Sequence, residues 1–332
     1  MLLFSSAIGN AQDIHFSQIF ETPLLRNPAL AGLFAGDIRV QSVYRSQWNS
    51  ITDAYRTGSA NLEYKLPIGE TSDFLTIGGQ LLYDRSGTVE LTSTHILPAI
   101  NYHKSLSAER NRYLSMSLMG GLVQRSINRN KITTNSQYNG TNYNSSLSTG
   151  ENFAKPSYGF FDGTVGLSYN SQIGEQEDDN MYVGIAYHHF NKPKNISFYT
   201  DINTELKAKW VASAGIRMST NDYSYITFEA DYSKQSSTQE VIGGLMYSLK
   251  LDDPENPQKL IHGGVYMRLK DAIIPVAKIE TKPIAIAVSY DINISNLKRA
   301  STGRGGFEIS LTYQKFLDRN NSSTDATRCP KF

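Results

Sequence analysis

Three things are scarce in this sequence: cysteine, charge and long apolar runs. Cys329 is the only cysteine in 332 residues, so no disulfide bond can form within the chain. Charged residues make up 19% of the chain, the formal net charge is +1, and acidic and basic residues are scattered. This balance gives no electrostatic argument for a nucleic-acid partner. No run of about 18 apolar residues occurs, which excludes a transmembrane helix but leaves open a membrane β-barrel with half-polar strands.

The N-terminus has the features of a short secretion signal. Residues 2–8 are apolar, and Gly9-Asn10-Ala11 has the small-x-small pattern of a cleavage site. No positively charged region precedes the apolar stretch. We therefore predict that residues 1–11 are the remnant of a signal peptide and that the mature chain begins at Gln12.

Apolar and polar residues alternate along most of the chain, which is the pattern of half-buried β-strands. In the first run, Ile38, Val40 and Tyr44 share one face, while Arg39 and Arg45 share the other. Most runs are about 9–13 residues long, the length that a tilted membrane strand needs. The predicted strands lie near 37–48, 57–66, 73–84, 87–103, 111–127, 158–170, 180–191, 207–219, 222–232, 238–250, 259–270, 272–280, 283–291 and 304–316. We predict an all-β, antiparallel transmembrane barrel of about 14 strands over residues 37–316.

The predicted connections alternate between short and long. The long ones are 129–157, 191–206 and 292–304, and they fall on one side if the N-terminus is periplasmic. Short periplasmic turns and long external loops are typical of outer-membrane barrels. We therefore predict an integral outer-membrane protein whose residues 317–332 form a periplasmic tail. Since long external loops often carry function, the candidate partner-binding residues are Tyr138, Asn139, Tyr143, Phe198 and Tyr199.

Tyrosine, which occurs 20 times, is frequent where the predicted strands end. Amphipathic rings prefer the membrane interface, so this placement favours a membrane barrel over the alternative, a soluble all-β fold. The predicted rim aromatics are Tyr44, Trp48, Tyr55 and Tyr83 at one end and Tyr64, Tyr102, Tyr113 and Tyr313 at the other.

The segment FSQIFETPLLRNPALAG, residues 16–32, is apolar but broken by Pro23 and Pro28. Its large apolar side chains are too many to remain in water. We predict that residues 12–36 are a periplasmic lid that folds against the inner mouth of the barrel or into its lumen, with Asn27-Pro28 turning the chain. The alternative is an ordinary disordered N-terminal linker.

The candidate catalytic and metal-binding groups do not form a recognisable site. Ser93 and His95 are spaced like a nucleophile and base, but the apolar residues around Ile96 take the lipid face and direct both toward the lumen. His188 and His189 are adjacent in a predicted strand and are expected to point to opposite faces, so they cannot share one metal. We predict a non-enzymatic protein with no catalytic, cofactor or metal site.

Several segments resemble one family. QDIHFSQIFETPLLRNPALAG followed by VYRSQW, then YHHFNKP, DAIIP, SYDINISNL, GGFEISLTY and the terminal CPKF, resemble the PorP/SprF family of the Bacteroidota type IX secretion and gliding-motility system. The residues of the first segment that we take as signature and lid residues are Phe16, Ser17, Gln18, Asn27, Pro28, Ala29 and Gly32.

The resemblance implies an outer-membrane barrel that assists the export or surface anchoring of a type IX-secreted, adhesin-like protein by binding its type B C-terminal domain. For some members it also implies a link to a periplasmic peptidoglycan-binding protein. An alternative is an outer-membrane transporter of hydrophobic small molecules, similar to the fatty-acid transporters. Such a transporter needs an apolar conduit, whereas the predicted inward residues include Arg39, Arg45, Glu63, Lys65 and Asp291.

Overall fold

The computed structural model describes residues 13–47, 55–69, 72–107, 109–151, 153, 155–174, 176, 178–194, 196–199, 204–295 and 304–317. Within them, fourteen antiparallel strands form a closed barrel, in which each strand pairs with the next in sequence and the last pairs with the first. The strands are β1 Ile38–Gln47, β2 Tyr55–Pro67, β3 Phe74–Ser86, β4 Leu91–Ser107, β5 Arg112–Ser126, β6 Ser157–Gln172, β7 Asn180–His188, β8 Lys209–Asn221, β9 Ser224–Gln235, β10 Thr238–Lys250, β11 Lys259–Arg268, β12 Ala272–Thr281, β13 Ile284–Asn293 and β14 Arg304–Lys315. The predicted fold is confirmed.

The alternation of each strand separates an apolar outer face from a polar inner face. Leu81, Ile96, Met116 and Leu122 are 54–65% exposed on the outer face. The inner face carries buried polar groups such as Asn101. This arrangement is inside-out relative to a water-soluble protein and is that of a barrel whose outer wall faces lipid. None of the helices in the described chain is long and apolar enough to cross a membrane.

The two ends of the barrel differ in their connections. At the short-turn end, where β1 begins and β14 ends, the connections are 68–73, 108–111, 173–179, 222–223, 251–258 and 282–283. At the long-loop end they are 48–54, 87–90, 127–156, 189–208, 236–237, 269–271 and 294–303. The connections above ten residues, 127–156 and 189–208, therefore share one end, as the length alternation predicted.

One predicted rim aromatic points the other way. Tyr44, Tyr83, Tyr102 and Tyr313 are exposed on the outer face, but Tyr113 is 0% exposed. It faces the lumen and packs edge-on against Phe74, with ring centroids 5.3 Å apart. The prediction for Tyr113 was wrong because Leu114, its neighbour, takes the lipid face. The predicted signal remnant, Trp48 and most of the predicted tail, with Cys329, lie outside the described residues.

Residues 13–36, which we call the luminal segment, lie inside the barrel. The segment folds into a 3-10 helix, Ile19–Glu21, a one-turn helix α1, Pro23–Arg26, and a second 3-10 helix, Pro28–Leu30. Both Pro23 and Pro28 occupy the first turn of their helices, where proline's missing N–H costs nothing. Fourteen strands enclose a lumen wider than the eight-stranded barrels that wall side chains alone can fill. The luminal segment lies in the remaining space.

The luminal segment runs along the barrel from one end toward the other. Asp13 lies 3.3 Å from Lys209, the first residue of β8 at the long-loop end. The backbone N–H of Asp37 donates to the carbonyl of Lys315 at the short-turn end, and β1 begins directly afterwards. The segment therefore runs through the lumen between the two ends of the barrel. It is more than a lid at one mouth.

Candidate functional site

The first signature residues, Phe16, Ser17 and Gln18, are docked on the wall. Phe16 is buried against Val43 and Leu82. The backbone N–H groups of Ser17 and Gln18 donate to the two carboxylate oxygens of Glu308, at 2.7 and 2.9 Å. These bonds satisfy the backbone donors that an irregular chain would otherwise leave unpaired in a buried place.

Two arginines of the wall complete this docking point. Arg45 contacts Glu308 at 3.1 Å and Asp291 at 2.9 Å. Arg268 contacts Asp291 at 3.2 Å and donates to the Ser17 hydroxyl at 2.6 Å, while that hydroxyl donates to Asp291 at 2.7 Å. Two positive and two negative side chains thus meet around Ser17, all of them buried. Buried charges are tolerated only when they are paired in this way.

Arg26, on α1, makes a bidentate ion pair with the wall. Its Nε and Nη2 donate to the two carboxylate oxygens of Asp231 at 2.6 and 2.8 Å, a bidentate contact. Glu229 and the hydroxyl of Tyr182 lie within 3.2 and 2.7 Å of the same guanidinium group. Removing the arginine would leave two carboxylates facing each other without a cation.

Glu21 is held by other strands of the wall, β1, β12 and β14. Its carboxylate lies 2.7 Å from Lys278 and accepts hydrogen bonds from Gln41 at 2.8 Å and Thr312 at 2.5 Å. Burial alone would raise the pKa of the Glu21 carboxyl, but the charge of Lys278 and these hydrogen bonds lower it. The group is therefore ionised at neutral pH and forms a second charged anchor.

The Asn27-Pro28-Ala29 turn is fixed by amide contacts. The Asn27 side chain accepts from the Ala29 N–H at 2.9 Å and donates to the carbonyl of Leu167 at 3.1 Å. The carbonyl of Ala29 accepts from Asn101 at 3.0 Å and from Ser168 at 2.8 Å. Pro28 is buried in the same turn. This turn is thereby joined to strands on both sides of it.

Gly32 occupies a position that only glycine fits. Its φ is +87°, and a Cβ there would come within 2.3 Å of Thr76 Oγ1 and 2.8 Å of His103 Nε2. Its N–H donates to Glu63 at 2.7 Å, and Glu63 is also paired with Arg39 at 2.8 Å. Both the positive φ and the close approach to the wall exclude a side chain.

Asp13, the first described residue, is held by charges at the long-loop end. Lys209 lies 3.3 Å away and His189 Nε2 lies 3.5 Å away. The other ring nitrogen of His189 is 2.8 Å from Asp162. Burial opposes the charged form of His189, but its contacts with Asp13 and Asp162 raise the pKa to about 9. His189 is therefore a cation at neutral pH and bridges the luminal segment to β6.

The adjacent histidines do not point to opposite faces as predicted. Both His188 and His189 are buried, because β7 ends at His188 and His189 turns inward with a φ of +57°. His188 contacts Thr164 and the carbonyl of Arg26. Among the described residues no cluster of three or more metal-binding side chains occurs. Ser93 and His95 lie in the lumen, 2.9 Å apart, as the alternation predicted.

The long-loop candidates fall into two groups. Tyr138 and Tyr143 face each other across a β-bridge and are 55% and 52% exposed. Exposed Asn139 turns the tip between them by accepting from the N–H groups of Thr141 and Asn142. The three form a tyrosine-flanked hairpin tip, which is available to another molecule.

Phe198 and Tyr199 instead join the two long loops to each other. The ring of Phe198 lies 4.8 Å from that of Tyr158, and the ring of Tyr199 lies 5.0 Å from that of Phe153. The Tyr199 hydroxyl donates to Glu151 at 2.5 Å. These side chains are half-buried in that contact and stabilise the loop pair. Loop composition alone does not distinguish them from Tyr138 and Tyr143.

The lumen also contains charged residues that were not singled out from sequence. Glu308, Arg268, Asp231 and Lys278 each hold the luminal segment. Each alternates with an outward apolar neighbour, such as Phe307 beside Glu308, so alternation places it in the lumen. Alternation does not show which residue of the luminal segment each of these charged side chains contacts.

Closed antiparallel strands, an apolar outer face and a polar lumen define the class: the chain is a membrane β-barrel protein. The family model of the type IX secretion system membrane protein PorP/SprF matches residues 8–313. The chain belongs to the PorP/SprF family, so the resemblance seen in its segments is confirmed. No curated protein matches it in sequence.

Solved barrels are similar in fold. The toluene transporter TbuX of Ralstonia pickettii aligns with a TM-score of 0.50 and 8% identity, over 88% of this chain and 92% of TbuX. A FadL homologue of Pseudomonas aeruginosa aligns with a TM-score of 0.46 and 11% identity, over 87% of this chain and 92% of the homologue. CdiB from Acinetobacter baumannii aligns with a TM-score of 0.43 and 9% identity, over 84% of this chain. This chain spans only 60% of the length of CdiB. The TbuX alignment, at 8% identity, shows the fold alone, that of outer-membrane barrels.

Proposed function

We propose that this barrel assists the export or surface anchoring of a type IX-secreted, adhesin-like protein by binding that protein's type B C-terminal domain. The observation that carries the proposal is the family match over residues 8–313, which makes the chain a type IX secretion membrane protein. The barrel lies in the outer membrane after cleavage of residues 1–11. Its short-turn end faces the periplasm, and its long-loop end faces outward.

The partner-binding surface in this proposal is the hairpin tip around Tyr138 and Tyr143. Tyrosine and asparagine at the tip provide large contact area and adaptable hydrogen bonds, a combination common at binding surfaces. The joined loops beneath it supply a fixed base through Phe153 and Phe198, whose ring centroids are 6.4 Å apart. A periplasmic peptidoglycan-binding protein is the second partner, and its contact lies at the short-turn end.

The charged lumen argues against the transport of hydrophobic small molecules. Arg39, Arg45, Glu63, Lys65 and Asp291 all face the lumen and are at most 6% exposed. Moving an apolar solute past paired charges would require their separation and desolvation. The non-enzymatic character of the protein is part of the same proposal.

Surface display of the secreted partner in a deletion strain tests the proposal. The strain is complemented with the wild-type gene, with the double variant Tyr138→Ala/Tyr143→Ala, or with Tyr223→Ala. Tyr223 is a matched control, since it is 52% exposed but lies at the short-turn end. We expect wild type and Tyr223→Ala to restore display and the double variant to restore much less.

Two results would contradict this assignment. Unchanged display in the deletion strain would exclude the role in export and anchoring. Full restoration by the double variant would keep that role but remove the hairpin tip as the binding surface. Purification of the barrel from outer membranes, followed by mass spectrometry, identifies the partner.

A further inference from the structure

We propose that the luminal segment is a seal, so that the intact barrel is closed to solutes and conducts only when the segment leaves its docking points. A barrel of fourteen strands is too wide for wall side chains alone to close, and wider barrels without an internal plug contain an aqueous channel. Whether this lumen conducts therefore depends on the luminal segment.

The space that remains on either side of the segment is unequal. At the short-turn end a cavity of about 340 Å³ is lined by Glu21 and Arg26 of the segment and by the turn residues 254–257 and Lys282. At the long-loop end a cavity of about 30 Å³ lies beside Asp13 and His15. The smaller one has room for one or two water molecules. Of these two cavities, the larger thus lies at the short-turn end and the smaller at the long-loop end.

The docking point of Ser17 and Gln18 lies near the long-loop end. Arg45 lies two residues before the end of β1, which is at the long-loop end. Glu308 lies opposite Arg45 in the β1–β14 pairing. On this side of the lumen, Arg45, Asp291, Glu308 and the two N–H groups of the segment form a hydrogen-bonded network across the neighbouring strands β13, β14 and β1. An ion that passed between the segment and these strands would have to break charge-assisted bonds of 2.7–3.1 Å.

Polar docking distinguishes a seal from a permanent part of the wall. At this docking point Ser17 and Gln18 contact the wall through hydrogen bonds, while the neighbouring Phe16 packs against Val43 and Leu82. Water can replace the polar partners once the segment is withdrawn. The wall would then remain a closed and hydrated barrel, because the strand pairs include no residue of the segment.

Ion conductance of the purified protein in planar lipid bilayers tests the seal. The full chain is compared with a variant that lacks residues 13–20, and with a control in which residues 139–142 are replaced by two glycines. Heat-modifiable migration in SDS gels reports whether each barrel is folded. We expect no steady conductance from the full chain or the control. The shortened chain should give a steady conductance at least roughly tenfold above the background of the bilayer without protein, because its lumen would be open.

A full chain that conducts as well as the shortened one would overturn the proposal, and so would a folded, shortened chain that stays closed. If the shortened chain does not fold, thiol labelling decides the matter. In a Cys329→Ser background, Ser17→Cys should resist a water-soluble thiol reagent, whereas Tyr138→Cys should react within minutes. Equal labelling rates for the two thiols would also overturn the proposal.

Discussion

The luminal segment and the long loop 127–156 are both irregular and rich in polar residues, yet their polar atoms find different partners. In the luminal segment the hydrogen bonds are distant in sequence: Ser17 contacts Asp291, 274 residues away, and Arg26 contacts Asp231, 205 residues away. At the loop tip they are local, and Asn139 bonds residues two and three positions further on. Distant contacts make a segment part of the folded core, whereas local contacts leave side chains free for another molecule.

The comparison also separates the two sets of residues that the sequence singled out. The signature residues from Phe16 to Gly32 have buried side chains or backbone held by the wall. Tyr138 and Tyr143 are more than half exposed. The signature residues thus lie where the luminal segment contacts the wall of the same barrel. The candidate partner surface is located where the chain is solvent-exposed.

The largest expected effect comes from Arg26. Replacing it by methionine keeps most of the volume but leaves Asp231 and Glu229 without their cation. Breaking a buried pair from one side costs about 3–5 kcal/mol. We expect this loss in the free energy of unfolding, measured by urea titration of the refolded protein in detergent.

Lys207→Met is the matched control for Arg26→Met. Lys207 also contacts a carboxylate, that of Glu205 at 3.4 Å, but its side chain is 62% exposed. Exposed pairs contribute about 0–1 kcal/mol. Equal losses for the two variants would contradict the distinction between a docked luminal segment and a solvated loop.

Alkaline pH is expected to weaken the anchor of the luminal segment at the long-loop end. His189 has a folded-state pKa of about 9, which lies above that of an unfolded histidine. Its stabilisation is therefore complete below about pH 6.5 and is lost as the pH rises through 9. The loss is on the order of 3 kcal/mol for a shift of this size.

Unfolding at a series of pH values from 6 to 10 measures this loss. His189→Gln serves as the control, because a glutamine does not titrate and the pH dependence between 7 and 10 should flatten. If wild type and His189→Gln show the same slope, the charged bridge to Asp13 and Asp162 does not exist.

Two glycines with similar backbone conformations offer a closely matched comparison. Gly32 has a φ of +87° and Gly140, at the loop tip, has a φ of +93°. Alanine is strained at both, but only at Gly32 does the added Cβ meet wall atoms; at Gly140 nothing lies within 4 Å. We expect Gly32→Ala to cost about 2 kcal/mol more than Gly140→Ala in the free energy of unfolding. Similar costs would show that the wall does not enclose Gly32.

The smallest effect on stability is expected at the hairpin tip. The double variant Tyr138→Ala/Tyr143→Ala removes two exposed rings, so its free energy of unfolding should change by no more than about 0.5 kcal/mol. A larger change would mean that the tip supports the barrel fold, and reduced display of the partner would then have a structural cause.

The strands and the faces of most of their residues were predictable from sequence, because a period of two is visible in most strands. The inward positions of Arg45 and Asp291 follow from this period alone. Alternation also contained the information that Tyr113 faces inward, since Leu114 is outward. His189 could not be placed in this way, because its left-handed backbone follows the end of β7.

The docking of the luminal segment could be predicted only in outline. Its apolar residues and prolines predicted burial near the barrel, and Leu24 is indeed 0% exposed against Leu97 and Met119. The contacts of Ser17 with Glu308 were not accessible, because they depend on barrel closure, which brings together residues 291 positions apart. The spacing of residues along the chain carries no information about this contact.

Hydrogen–deuterium exchange, followed by mass spectrometry on the folded barrel, tests the central comparison most directly. The account predicts that amides of residues 16–34 exchange as slowly as those of the strands, and that amides of residues 135–151 exchange orders of magnitude faster. Rapid exchange of residues 16–34, at the rate of the long loop, would contradict a docked luminal segment and the seal that depends on it.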